Sequence, residues 1–385
     1  VMAGLTREAI RAGAIGLGSS TAEAHNGVGG LPVQSRLANF GEFQALLRAM
    51  GECGKGLFQI TTGGGMSPEQ LEALHRSSGR PVCWAAFFHR DDAPEVTVER
   101  LEWSERVVAR GEQIVPQVSC RPLTMDFSMQ NPYPFEGLPC WQQVMRRPVE
   151  EWAAVYADPG FRAAFKDDLA NSRFAVFRGA WDAVEVRLAG AAEFAPSEGE
   201  MVSALAEEAG ADPVDVFLDL ALADGLETKF VATFMNSNEE MVGRLLRHPH
   251  TMISLSDAGA HNALLCDAGY SSHLLGHWVR DRGVLSLEEG VRRLSSQPAE
   301  LYRIPERGRI RPGYWADITA FDPQTIAALP NEWATDLPGG EGRFICRSRG
   351  VAHAWVNGAR VLDNGAVCDG EAEERSGRVL REFAA

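Results

Sequence analysis

In the stretch Ser256-Asp257-Ala258-Gly259-Ala260-His261 a carboxylate is followed, four residues on, by an imidazole. These are side chains that accept and donate protons near neutral pH. The stretch is entered through Thr251-Met252-Ile253-Ser254-Leu255, a short strand-forming run, and it breaks on Gly259. Such a run ending in Ser-Asp predicts a buried barrel strand that delivers a carboxylate to its C-terminal mouth, where barrel enzymes work. The same Ser-Asp could instead cap the segment that follows, leaving Asp257 without chemistry. Against that, an unpaired buried carboxylate is costly, and His261 stands beside it.

The residues that follow extend the pattern. Cys266-Asp267-Ala268-Gly269-Tyr270 leads into Leu274-Leu275-Gly276-His277-Trp278-Val279-Arg280 and then Leu285-Ser286-Leu287-Glu288-Glu289-Gly290-Val291-Arg292-Arg293-Leu294. Gln297-Pro298-Ala299, Arg307-Gly308-Arg309-Ile310, Pro312-Gly313-Tyr314-Trp315-Ala316-Asp317-Ile318 and Val356-Asn357-Gly358 come after. This order resembles the amidohydrolase superfamily and, within it, the N-acyl-D-amino-acid deacylase (D-aminoacylase) branch. The resemblance is specific from Ser254 to Val361 and looser from Ala12 to His89. It implies an α/β fold: the later strands of a (β/α)8 TIM-like barrel over residues 1–303, then a small C-terminal β-domain and tail over 304–385. It also implies that the family's opening β-domain strands, first barrel strands and His-x-His motif are absent here. The expected molecule is therefore completed by a missing N-terminal segment or forms a homo-oligomer.

Amidohydrolases attack an amide with water activated by one or two divalent ions, commonly zinc, and the barrel-terminal Asp passes the proton to the leaving amine. The resemblance gives Asp257 that role, with His261 beside it, and makes the substrate a small-molecule amide such as an N-acyl-D-amino acid. Where it would place ligand histidines on two middle strands, the sequence has Gln59-Ile60-Thr61 and Ala85-Ala86, with His89 three residues further on. The ion would then rest on Asp257, on His25 or His89, and on the absent His-x-His. The opposing expectation is a barrel that has lost its metal set and acts as a binding or scaffold subunit.

Other histidines have plainer explanations. His75 and His248 fall on helices, His250 follows Pro249 in a turn, and His353 belongs to the terminal β-domain. His273 and His277 share one helix face at a spacing able to chelate an ion, but on a helix of the outer layer. A substrate carboxylate would need a cation, and Arg36, Arg90 and Arg121 all fall in mouth loops.

Strands and helices must alternate to present these groups. Strands are expected at Ala12–Ser20, Gly56–Ile60, Pro81–Phe88 and Gln113–Ser119, with helices at Phe40–Met50, Pro68–Ser77 and Val96–Arg110 between them. Pro116 would be awkward in a central strand unless its ladder bond is removed. Residues 121–160 carry Pro122, Pro132, Pro134 and Pro139 among aromatics and are expected to form a loop insertion over the mouth. Phe127, Met129, Tyr133, Phe135 and Trp141 could wall an acyl pocket there or simply pack together. Helices at Pro159–Ala170, Met201–Ala209, Pro213–Ala223 and Glu239–His248 follow. Asn357-Gly358 is a strong hairpin signal. Gly63-Gly64-Gly65 lacks the Lys of a phosphate loop.

Composition sets outer limits. The 385 residues hold 37 Lys plus Arg against 52 Asp plus Glu, a net charge of −15 that repels nucleic acid and anionic membranes. No apolar run reaches the length of a membrane span. Seven cysteines without any C-x-x-C pair match neither a disulfide framework nor a zinc ribbon and point to a reducing, cytoplasmic setting. The opening Val1-Met2-Ala3-Gly4 runs into a helix-like segment without export features.

Overall fold

The computed structural model of the chain describes residues 1–23, 25–27, 31–171, 177, 179–256, 268–368 and 376–383. Its centre is a parallel sheet that begins with β1 (Gly16–Ser20), β2 (Leu57–Thr61), β3 (Val82–Ala85) and β4 (Ile114–Val118). An antiparallel unit then intervenes, made of β5 (Leu123–Phe127), β6 (Val184–Leu188) and β7 (Lys229–Met235) in the order β5-β7-β6. The fifth parallel strand, β8 (Met252–Ile253), follows and pairs with β4, giving the order β1-β2-β3-β4-β8. Helices Phe40–Gly51, Pro68–Ser78 and Pro94–Ala109 connect the first four strands, and Glu239–Arg247 precedes β8. Each strand lying beside its predecessor with a helix between is the arrangement of successive units in an α/β barrel.

Strand alternation divides the core in two. Phe58 and Ile60 of β2 pack with Phe43, Leu47, Leu71 and Leu74 of the outer helices. Leu57 joins Cys83 and Met252, with Val115, Leu301 and Tyr302 against them, on the other face. Each fully buried side chain of this size contributes about 1.5–3 kcal/mol. The helix starts are set locally: Asn39 accepts from the Glu42 amide, and Ser67 with Gln70 forms a capping box ahead of Pro68. Pro116 is accommodated because β8 joins β4 only from Gln117 onward, so no ladder bond is lost on that side.

Residues 121–160 are not an open loop. They carry β5 and short helical turns at Tyr133–Phe135, Pro139–Trp141 and Gln142–Met145, and they belong to a unit that continues to Met235. The prolines start these turns rather than ending structure. Phe127, Met129, Phe135 and Trp141 are buried in a core with Phe165, Phe217 and Phe230. Among the described residues Phe135 has five ring neighbours, Phe127, Trp141, Phe165, Phe177 and Phe217, at 5.1–5.8 Å. These aromatics pack against one another.

After residue 303 the chain turns to short antiparallel strands: β9 (Ile318–Phe321), β10 (Ala327–Ala334), β11 (Arg343–Arg349), β12 (Val351–Val356), β13 (Ala359–Asp363) and β14 (Ala366–Val367). β10 and β11 form a hairpin, and the others a sheet ordered β14-β13-β12-β9. Asn357 and Gly358 have φ of 48° and 87° between paired Val356 and Ala359, the mirror-image turn that a two-residue hairpin needs. Asn364 and Gly365 repeat it at 48° and 79° between β13 and β14. Among the described residues, no helix is long and apolar enough to cross a membrane.

Candidate active site

The C-terminal ends of the parallel strands form the mouth of the barrel, and β8 is held there by side chains at both ends. Before it, the buried Arg293 donates from Nη1 to the Thr251 carbonyl at 2.8 Å and from Nη2 to those of Leu246 and His248 at 2.7 and 2.9 Å. Burial pushes this guanidinium down to about 10. After it, Gln117 Nε2 donates to Ser254 Oγ at 3.1 Å. The backbone then leaves the sheet at the mouth side through Leu255 and Ser256. Asp257 and His261 lie outside the described residues.

The inward positions expected to hold ligand histidines carry other groups. Gln59 of β2 reaches across β3, whose Cys83 and Ala85 are small, and its Nε2 donates to Gln117 Oε1 at 3.4 Å. Gln117 Nε2 also lies 3.4 Å from the Tyr302 hydroxyl, which burial keeps protonated by pushing it up to about 12. The interior at this level is an amide and hydroxyl layer.

His25 and His89 lie at the mouths of β1 and β3, with β2 between. His25 Nδ1 is 2.6 Å from Ser20 Oγ, which also accepts from the Ala22 amide at 3.2 Å, so the Ser20 hydroxyl is placed to donate to the ring. The buried His89 has Nδ1 2.9 Å from Thr97 Oγ1 and Nε2 3.3 Å from Asp91 Oδ1. Both nitrogens of His89 are thus occupied by protein groups. Asn236, at φ 66°, ties the region together: its Oδ1 accepts from the His89 amide at 3.1 Å, and its Nδ2 donates to the carbonyls of Ser119 and Arg121 at 3.1 and 2.9 Å. Sequence reading does not single out Asn236, Gln117 or Arg293. The available signal for Gln117 is a lone amide in the apolar run Ile114–Val118.

The remaining candidates are paired within the scaffold. His75 Nδ1 meets the Arg80 carbonyl at 2.8 Å, His248 Nε2 meets Glu105 at 3.2 Å, and His353 Nδ1 meets Asp363 at 2.9 Å. His273 stacks on His277 at 4.8 Å, and His277 Nε2 contacts Glu239 at 2.8 Å. Burial first, then the charges of Arg121 and His277, push His273 down to about 4. Arg90 is held by Asp92 through Nε at 2.9 Å and Nη2 at 2.6 Å. Arg36 Nη1 donates to the His25 carbonyl at 3.2 Å and to Asn26, while Arg121 Nη1 lies 3.5 Å from Cys346 Sγ. In the glycine loop after β2, Gly64 N donates to Glu23 at 2.7 Å and Gly63 N to Thr21 Oγ1 at 3.1 Å. A Cβ on Gly63 would stand 2.4 Å from the Thr21 carbonyl, so only glycine allows this approach. The chain's own oxygens fill that loop.

The sequence profile of the amidohydrolase family matches residues 1–362. The chain belongs to the amidohydrolase family. Among curated amidohydrolases, N-acyl-D-glutamate deacylase of Alcaligenes xylosoxydans xylosoxydans is 30% identical over 157 residues, covering 40% of this chain and 29% of that one. D-aminoacylase of the same organism is 29% identical over 197 residues, covering 50% and 36%. The crystal structure of N-acyl-D-glutamate deacylase from Bordetella bronchiseptica, complexed with zinc and a phosphonate mimic of the tetrahedral intermediate, superposes with a TM-score of 0.59 at 20% identity, over 99% of this chain and 65% of that one. D-aminoacylase superposes at 0.57 and 19% identity, over 96% and 64%. The amidohydrolase barrel and terminal β-domain are therefore shared, while this chain spans about a third of those curated relatives and just under two thirds of the solved ones. Among its described residues, no three His, Cys, Asp or Glu side chains converge as a metal seat.

Proposed function

We propose that this amidohydrolase cleaves a C–N amide bond in a small N-acylated amino acid, with Asp257 taking the proton of the attacking water and returning it to the leaving amine. One observation carries the reading: β8 is seated beside β4 with Ser254 facing inward, so the chain reaches the mouth immediately before Asp257. The relatives' names, N-acyl-D-glutamate deacylase and D-aminoacylase, supply the substrate class. Zinc accompanies the solved deacylase. In this chain the described residues do not fit such an ion, since Gln59 and Ala85 hold inward positions on β2 and β3 and His89 is engaged by Thr97 and Asp91. The proton traffic is therefore assigned to Asp257 alone. The same lack of ligating side chains among the described residues favours a second reading, a binding or scaffold subunit built on an amidohydrolase barrel.

A panel of N-acyl-D- and N-acyl-L-amino acids, offered to the purified chain with and without zinc, manganese or cobalt, separates the two. The hydrolase reading expects amine release that Asp257→Asn abolishes at unchanged melting temperature, because the amide keeps the shape but cannot accept the proton. Absence of release under every condition sinks it and leaves the binding subunit.

A further inference from the structure

β8 is a weak strand by its backbone alone. It makes two ladder pairs with β4, Gln117 with Met252 and Val118 with Ile253. Beyond them, the amides of Ser254 and Leu255 both reach for the single carbonyl of Val118, each at 3.3 Å. A strand so short specifies its register poorly, and a slip of one residue exchanges every side chain between the two faces. What distinguishes the faces here is chemistry. On the inner face Gln117, 7% exposed, accepts from Gln59 and donates to Ser254 and toward Tyr302. A buried amide left without partners costs about 1–3 kcal/mol, so a register that turned Ile253 or Leu255 toward it would be disfavoured by that order. The entry to β8 is fixed separately, by Arg293 and Gln297 on the Thr251 carbonyl at 2.8 and 2.9 Å. At the mouth end this role falls to Gln117.

We propose, resting on the hydrolase reading, that Gln117 is a positioning residue: its amide fixes the register of β8 and the course of Ser254, the part of the chain that leads directly into Asp257 in the sequence. Asp257 follows Ser254 by three residues in the sequence, so a displacement at Ser254 is passed to the chain that leads into it. Gln59 and Tyr302 hold Gln117 in turn, which makes the layer a brace running from β2 through β4 to β8. Each of the three partners can donate: the Gln59 amide, the Ser254 hydroxyl and the Tyr302 hydroxyl. A carboxylate at position 117 could therefore accept from all of them, whereas an alkyl group could not.

The experiment compares Gln117→Leu, Gln117→Glu and Ser254→Ala in the full chain, by steady-state kinetics and by hydrogen exchange of the peptide spanning residues 252–261. Gln117→Leu should lower kcat by about 100-fold with KM little changed, since a displacement of about 1 Å has that effect on catalysis. Gln117→Glu should restore kcat to within about threefold, because it keeps the acceptor geometry. The losses in Gln117→Leu and Ser254→Ala should not add in the double variant. Exchange across 252–261 should quicken in Gln117→Leu and Ser254→Ala but not in Gln117→Glu. Wild-type kcat and exchange in Gln117→Leu would overturn the proposal while Asp257→Asn still reports on the hydrolase reading. If no substrate of the panel is turned over, that reading fails by itself, and exchange across 252–261 still decides for or against Gln117. Should Gln117→Leu not fold, Gln117→Glu and Ser254→Ala carry the test: faster exchange in Ser254→Ala alone supports the brace, and unchanged exchange in both overturns it.

Discussion

His89 is a side chain of ligand type whose ring faces Thr97 and Asp91. With Thr97 on Nδ1, Asp91 near Nε2 and its own amide on Asn236, it closes the junction between β3 and the antiparallel unit. His89→Ala is expected to leave the metal content of the purified protein unchanged, read by mass spectrometry. It should also lower stability by about 1–3 kcal/mol, because Thr97 and Asp91 lose a buried partner. His273 gives a pH signature. Its imidazole is pushed down to about 4 in the fold by burial, then by Arg121 and His277, against 6.5 as its ordinary value. Between those values the unfolded chain takes up a proton that the folded chain refuses. This contribution is therefore fully present above about pH 6.5 and is lost progressively toward about pH 4. Thermal melts across that range should show the slope, and His273→Gln should flatten it.

At the scale of elements, β8 is the smallest strand of the parallel sheet and the one most dependent on outside help. Arg293 reaches it from the helix Leu287–Leu294 and satisfies three carbonyls around residues 246–251. Arg293→Leu should destabilise the protein by about 1–3 kcal/mol, since the Leu246 carbonyl loses its side-chain donor while the Thr251 carbonyl keeps Gln297 and the His248 carbonyl keeps Thr251. Urea unfolding followed by tryptophan fluorescence measures this, and a change within error would deny Arg293 that role. The hairpin between β12 and β13 makes a milder demand. Gly358 sits at φ 87°, so Gly358→Val should cost about 1–2 kcal/mol through backbone strain alone.

At the scale of the whole molecule, β1 and β8 are the outer strands of the parallel sheet among the described residues, and Leu31 and Leu37, following β1, are 69% and 68% exposed. An open edge with apolar neighbours invites further pairing, so the chain in isolation is expected to associate. Light scattering reads this, and a monomeric mass with a cooperative melt contradicts it. The sequence by itself determined the elements: the strand-helix alternation through β4, the helix that begins at Pro68 and the Asn357-Gly358 turn all follow from apolar periodicity and turn chemistry acting over a few residues. It also placed the chain near the amidohydrolases through motifs of the same local kind. Only the tertiary structure decided that residues 121–160 join β6 and β7 in a unit with its own core, that His89 meets Thr97 and Asp91, and that Gln59 and Gln117 occupy the barrel interior. Those outcomes depend on register between distant segments. Gln117 meets Ser254 across 137 residues and Asn236 meets Ser119 across 117, separations at which periodicity within one segment carries no information about the partner.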